Sequence, residues 1–542
     1  MRGLNPAIIS PQGGRILRPH SWKMRKEKAL LPCLVVTVAV GPAYSQAKSS
    51  ENHKSARPNI ILFMADDLGW QDTSVPFGNE RTRLNDIYET PNMERLARQG
   101  MMFTQAYAAP ISSPSRCSLM TGMNAARHRV TNWTLHQDKR TDAEDAVVTP
   151  PEWNVNGICQ TEGTNNTFVG RSFVDILHAN GYRTIHCGKA HWGAIGTPGE
   201  QPEHFGFDVN IAGHAAGGPA TYLSEQNYGH DKDGNPTTPM HIPGLQKYWG
   251  TGTFLTEALT QEALAALDEA KRLGQPFYLY MSHYAVHVPI DRDLRFFQKY
   301  VEKGLSPKEA AYASLIEGLD SSLGDILDWL DHHGETDNTI VIFMSDNGGY
   351  ATSSYWRDEP LYTQNAPLRC GKGSLYEGGI REPMIVRWPG HVRAQSRCDS
   401  YVMIEDFYPT LLEMGGVKRY QVPQTIDGKS FMPLLTQKGD PSRGRSLIWN
   451  FPNVWDNEGP GISLNCAIRK GVWKMIYNYK TRKKELYNIS IDISEANDVA
   501  SYYPKVVRRL SRELGCSLRK MQAQRPLLKS SGMPCPWPDE TE

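Results

Sequence analysis

Asn59-Ile60-Ile61-Leu62-Phe63-Met64-Ala65-Asp66-Asp67 decides the fold: an unbroken apolar run, closed at once by two acids. Such a run predicts a strand buried on both faces, with charge delivered at its carboxyl end. The pattern recurs at residues 182–187, 277–281, 339–344 and 384–387. Helical stretches separate these strands: 93–100 with Leu96 and Ala97 inward, 173–178, 256–273 ended by Gly274 and Pro276, 310–332, and 404–414. Alternation of this kind implies an α/β fold, a large, mostly parallel sheet sandwiched by helices.

Around Pro441 the character changes. Residues 472–479 and 484–487 read as a hairpin across the basic turn 480–483, a solvated tip rather than a docking site, and 505–518 as a late helix. The division expected is a catalytic domain of residues 57–440 and a smaller C-terminal α+β subdomain of residues 441–542. Gly-, Asn- and Pro-rich loops at 141–168 and 212–245 fall where insertions shape a site above the strand ends.

The 542 residues are 39% hydrophobic and 10% aromatic, with 59 Lys+Arg against 58 Asp+Glu. That balance excludes a disordered or membrane-embedded chain and a nucleic-acid binder with a basic face. The first 45 residues hold seven of the basic groups and one acid, which leaves 52 against 57 in the remainder. Arg25-Lys26-Glu27-Lys28, the apolar segment 29–40 and Ala43-Tyr44-Ser45 form a secretory pattern, cleaved before Gln46. The apolar segment is shorter than the ~20 residues that span a membrane. We therefore expect residues 1–45 to be an N-terminal extension and signal peptide, and the protein to be exported to the periplasm or beyond. Eight cysteines remain after Cys33, too few for a disulfide framework in a chain this long, and no CxxC pair suggests zinc.

Chemistry concentrates in a few segments. Pro110-Ile111-Ser112-Ser113-Pro114-Ser115-Arg116-Cys117-Ser118-Leu119-Met120-Thr121-Gly122 contains Ser-x-Pro-Ser-Arg followed by x-x-Leu-x-Thr-Gly. Read alone, Ser112 is a cap for a helix beginning near Pro114. Asp66-Asp67 and Ser345-Asp346-Asn347-Gly348-Gly349 end two buried strands. Singly each is a turn or cap; together they are an all-oxygen ligand set suited to Ca²⁺ and less well to Mg²⁺. Three basic segments complete the set: Gly188-Lys189-Ala190-His191-Trp192-Gly193, Ser282-His283-Tyr284-Ala285-Val286-His287-Val288-Pro289, and Leu368-Arg369-Cys370-Gly371-Lys372-Gly373 with Glu377-Gly378-Gly379-Ile380-Arg381-Glu382-Pro383.

In this order these segments resemble the type I, formylglycine-dependent sulfatases of the alkaline-phosphatase superfamily, and Ser-type bacterial carbohydrate sulfatases in particular. The resemblance implies an alkaline-phosphatase-like sheet and oxidation of Ser112 to formylglycine (3-oxoalanine), hydrated to a geminal diol. It assigns Asp66, Asp67, Ser112, Asp346 and Asn347 to Ca²⁺. Lys189, Lys372 and Arg116 then bind the sulfate or orient the diol, His287 protonates the departing sugar oxygen, and His191 is the base that lets the diol expel sulfate. His283, off the motif, reads as structural. A serine at the modified position implies an anaerobic radical-type maturase as partner.

The activity this implies is exo-acting hydrolysis of a sulfate ester on a carbohydrate, with galactose or N-acetylgalactosamine sulfate as first expectation. His214, Trp356 and Arg357, in loops where such enzymes build their sugar pocket, are the expected substrate contacts. A phosphoester or phosphonate-ester hydrolase of the same superfamily would show further metal-binding histidines. A catalytically silent glycan-binding relative would lack a core residue, and none is missing.

Overall fold

The two-sided burial that residues 59–65 demand is met by one sheet with helices on both faces. The computed structural model describes residues 57–541; the signal-peptide pattern at 1–45 lies outside them. In chain order the strands are β1 (Asn59–Ala65), β2 (Met101–Tyr107), β3 (Arg183–Gly188), β4 (Val209–Ile211), β5 (Phe277–Ser282), β6 (Thr339–Ser345), β7 (Arg381–Arg387), β8 (Ser396–Cys398) and β9 (Val402–Met403). Across the sheet they lie β8-β2-β7-β6-β1-β5-β3-β4, with β9 also paired to β2. β1 is central and parallel to both β5 and β6. Only β7 runs against its neighbours β2 and β6, so the sheet is mostly parallel, as expected.

Side chains alternate across a strand, and the alternation of β1 feeds two cores. Ile61, Phe63 and Ala65 join one; Ile60, Leu62 and Met64 join the other. The first core is closed by α1 (Pro91–Gln99), α4 (Leu255–Leu273) and α5 (Pro307–His332). The second is closed by α2 (Ser112–Thr121), α3 (Phe173–Ala179) and α6 (Phe407–Met414). Local chemistry sets the helix ends: the Ser306 side chain accepts from the Glu309 N–H with Pro307 in the first turn of α5, and Gly274 at φ 66° ends α4. No helix among the described residues is long and apolar enough to cross a membrane.

Beyond residue 441 the hairpin read from sequence is half of a four-stranded antiparallel sheet, β10 (Ser446–Phe451), β11 (Asn465–Lys470), β12 (Trp473–Asn478) and β13 (Lys484–Asn488). One face carries Ile448, Cys466, Ile468 and Met475 against Leu510, Leu514 and Leu518 of α7 (Pro504–Lys520). The other carries Trp449, Phe451, Ala467 and Ile476 against Tyr107, Ile111, Tyr376 and Ile380 of the main body.

A buried charge cluster fastens this second face. Lys474, fully buried, lies 2.9 Å from both Glu377 and Glu495, and Arg381 lies 3.1 Å from Glu377. Removing one partner of such a cluster strands buried charge and costs about 3–5 kcal/mol. Lys474→Met should therefore lower unfolding free energy by about that amount in a denaturant titration. A loss below about 1 kcal/mol, the range of an exposed pair, would show that the cluster does not fasten the sheet.

Candidate active site

The sheet gathers ten polar side chains at the carboxyl edge of its parallel strands, where open α/β sheets place ligands. Asp66 and Asp67 follow β1, Asp346 and Asn347 follow β6, and Lys189 and His191 follow β3. His287 lies in the loop after β5, and Lys372 in the loop before β7. Ser112 and Arg116 come from the first turns of α2. Ser112 is no helix cap: Ile111 holds that position with no capping side chain, and the Ser112 hydroxyl turns inward. The helix therefore aims its unsatisfied N–H groups and positive dipole end at the site, which suits an anion.

The Ser112 Oγ is surrounded by Asn347 Oδ1 at 3.0 Å, Lys189 Nζ at 3.0 Å and Asp66 Oδ1 at 3.3 Å. Around it each acid meets a base. Lys189 lies 2.7 Å from Asp66, Lys372 2.8 Å from Asp67, and Arg116 2.8 Å from Asp346. Arg116 is tied further by Lys189 O and Tyr280 Oη, each at 3.2 Å, and by Ser282 Oγ. Asp67 and His191 take left-handed backbone conformations, φ 59° and 56°, sparsely populated for such residues and concentrated at functional sites.

Asp66, Asp67 and Asp346 offer oxygens within 4.8 Å of one another, all buried. Burial raises the Asp66 carboxyl, and Asp346 and Asp67 raise it further, against the pull of Lys189. Burial also works to raise Asp67, but Lys372 foremost, with Lys189, outweighs it and holds that carboxyl below its ordinary range. The three acids together form a cluster that could hold a metal ion. The donor chemistry fits a hard one: three carboxylates and an amide, whose Nδ2 donates to Asp67 Oδ1 at 2.7 Å and so turns Asn347 Oδ1 toward Ser112.

Burial weighs against charge on both site histidines. Burial, with Lys189 and Arg116, pushes His191 well below its usual range. Its Nε2 lies 3.0 Å from Thr134 O, an acceptor only, so the network assigns the proton there and leaves Nδ1 unpartnered. Burial, then Lys372, pushes His287 down to about 3 against the pull of Asp67. Its Nδ1 lies 2.7 Å from Val288 O. His283 is structural, 2.8 Å from Ser322 Oγ and packed on Phe63.

Above Ser112 opens a cavity of about 220 Å³ bounded by His191, His287 and Lys372 below and by Trp133, Tyr350 and Trp455 at its sides. Met240 and Val288 add apolar wall, and Asp456 and Asn457 stand at its rim. The sugar contacts expected from sequence lie elsewhere. Arg357 is buried, chelating Glu309 at 2.9–3.1 Å and stacked 3.8 Å above the Tyr312 ring. His214 packs its ring on His241, 5.0 Å between centroids, and its backbone oxygen accepts from the His191 N–H. Trp356 contacts Tyr355 and does not line the cavity. Trp133, Tyr350 and Trp455 were not singled out because their loops carry no periodic signal; only the chain's return from the C-terminal sheet brings Trp455 to the site.

Comparison with known proteins agrees with this geometry. The sulfatase family model matches residues 58–417, and a second model, the C-terminal region of N-sulphoglucosamine sulphohydrolase, matches 370–524. A sulfatase of Formosa agariphila is 32% identical over 85% of this chain and 87% of its own. Human N-acetylgalactosamine-6-sulfatase is 30% identical over 75% and 74%. The solved structure of Ps i-CgsB in complex with k-i-k-neocarrahexaose superposes with a TM-score of 0.65 at 27% identity, covering 85% of this chain and 93% of that one. The chain belongs to the sulfatase family, within the alkaline-phosphatase superfamily. It is a sulfuric ester hydrolase.

Proposed function

We propose that this enzyme removes one sulfate from the end of a glycan, using Ser112 in its formylglycine form beside a calcium ion held by Asp66, Asp67, Asp346 and Asn347. The observation that carries the reading is the position of Ser112: one oxygen at a helix N-terminus, within 3.3 Å of Asp66, Asn347 and Lys189, beside two further acid–base pairs and lining an aromatic cavity. A hydrated aldehyde at Ser112 supplies the nucleophile, and Ca²⁺ supplies Lewis-acid charge for the sulfate oxygens.

The chain's own residues do the rest. Lys189, Lys372 and Arg116 are already fixed by their carboxylate partners, so they stabilise charge on the non-bridging oxygens without reorganising. His191, lining the same cavity as Ser112 with its Nδ1 free, takes a proton from the residue at 112. His287 gains its second proton when an anionic ester enters beside it and offsets the field of Lys372, and it passes that proton to the leaving sugar oxygen.

The cavity volume lies below the ~300–1,000 Å³ of sites for drug-sized ligands, which supports one terminal sugar ring rather than a chain. Trp133, Tyr350 and Trp455 offer apolar surface for that ring, and the Asp456 carboxylate offers an acceptor for its hydroxyls. Galactose or N-acetylgalactosamine sulfate remains the first choice, supported by the substrate in the human relative's name. Export through the 1–45 segment and maturation by a radical-type enzyme belong to the same proposal.

Matched aryl sulfate and aryl phosphate, with a panel of position-defined monosulfated sugars, test the reading. Sulfate turnover well above phosphate turnover, with one sugar position preferred, is expected; phosphate preference, or glycan binding without turnover, would overturn it. For the metal, Asp346→Ala should lower kcat/KM on the order of 1,000-fold, the several kcal/mol of Lewis-acid stabilisation. Chelation should do the same to the parent enzyme, reversed by added Ca²⁺. Full turnover in chelator, with elemental analysis showing no retained ion, would remove the metal from the account.

A further inference from the structure

His191 and His287 reach the site from different strands, yet their rings must keep a fixed spacing around one sulfur atom. A third segment, residues 213–222, touches both. Its His214 O accepts from the His191 N–H at 3.3 Å, and its Tyr222 Oη lies 2.8 Å from His287 O and 2.7 Å from Tyr284 O. Between these backbone contacts two consecutive glycines meet the two rings. A β-carbon on Gly217 would stand 2.6 Å from His191 Cε1 and 2.7 Å from Nε2. One on Gly218 would stand 2.4 Å from His287 Nδ1 and 2.6 Å from Cε1. Real β-carbons essentially never approach other atoms below 3.0 Å, so either the segment or the ring must move.

The segment is anchored on both sides of the two glycines. Asn210 grips Gly213 through both its amide atoms at 3.0 Å. At the far end Asp291 Oδ2 accepts from Thr221 Oγ1 and from the Tyr222 N–H, both at 2.8 Å, and Tyr222 O accepts from the Leu255 N–H at the start of α4. A methyl group added between these anchors displaces an imidazole.

We propose that Gly217 and Gly218 are positioning residues, one for each histidine, and that segment 213–222 sets the spacing between the two rings. The inference rests on the roles given above to His191 and His287, and it adds the element that keeps those roles in register.

The test compares Gly217→Ala, Gly218→Ala and Tyr222→Phe, the last of which removes a contact while adding no atom, so one variant is free of steric insult. With histidine Cε1 labelled by ¹³C, Gly217→Ala should shift the His191 ring resonance and leave His287 in place. Gly218→Ala and Tyr222→Phe should do the reverse. This readout needs no turnover, so it stands or falls apart from the sulfatase mechanism. In turnover each glycine variant should lose on the order of 100-fold, the usual effect of a misplacement near 1 Å. The Gly218→Ala loss should grow with the basicity of the leaving group; the Gly217→Ala loss should not. Gly217→Ala should add nothing to His191→Ala, because a positioning residue acts only through its partner. Unmoved ring resonances, or losses that simply add in the double variant, would overturn the proposal.

Discussion

Three carboxylates sharing a few ångströms of dry interior constrain everything built around them. Asp66, Asp67 and Asp346 cannot all be charged there without positive charge within reach. Lys189, Lys372 and Arg116 provide it from three other parts of the chain, one to each acid. Those pairings in turn fix how the end of β3, the first turns of α2 and the loop before β7 meet the ends of β1 and β6. Of the bases that let the acids be buried, Lys189 also reaches the Ser112 oxygen and Lys372 lines the cavity beside it.

Chemistry and recognition come from different parts of the fold. The floor of the cavity is built from strand ends and a helix terminus, which the sheet holds rigidly. Its walls come from loops, and one of them, Trp455 with Asp456 and Asn457, belongs to the chain between β10 and β11 of the smaller sheet. Lys474, Glu377 and Glu495 fasten that sheet to the main body, so the cavity's shape depends on charges that never touch its contents.

The legible parts of the sequence were those where burial leaves a period or chemistry leaves a cluster. β1, β5 and β6 read directly because both faces are covered and the apolar run is unbroken. Asp66, Asp67, Asp346, Asn347 and Lys189 read because they stand immediately after buried strands. β2 was missed because it follows α1 after Gly100 alone and mixes Thr104 and Gln105 into its run. β10 and β11 were missed because each buries Asn or Arg along with apolar residues. Arg357 illustrates a different failure. An arginine beside aromatics looks like a sugar contact, but Glu309, far off in sequence, claims its guanidinium. Long-range partners of this kind leave no local trace.

The central claim is that the group at position 112 acts as an aldehyde hydrate and not as a hydroxyl. Mass spectrometry of the peptide spanning Ser112, on preparations of graded activity made with and without a maturase in the host, tests it directly. The account predicts a peptide lighter by two hydrogens, the change from alcohol to aldehyde, in proportion to specific activity. Unmodified protein should still fold, since one side chain contributes little to cores of this size. Fully active enzyme carrying only serine at position 112 would contradict it and leave Ser112 a direct nucleophile or a ligand alone.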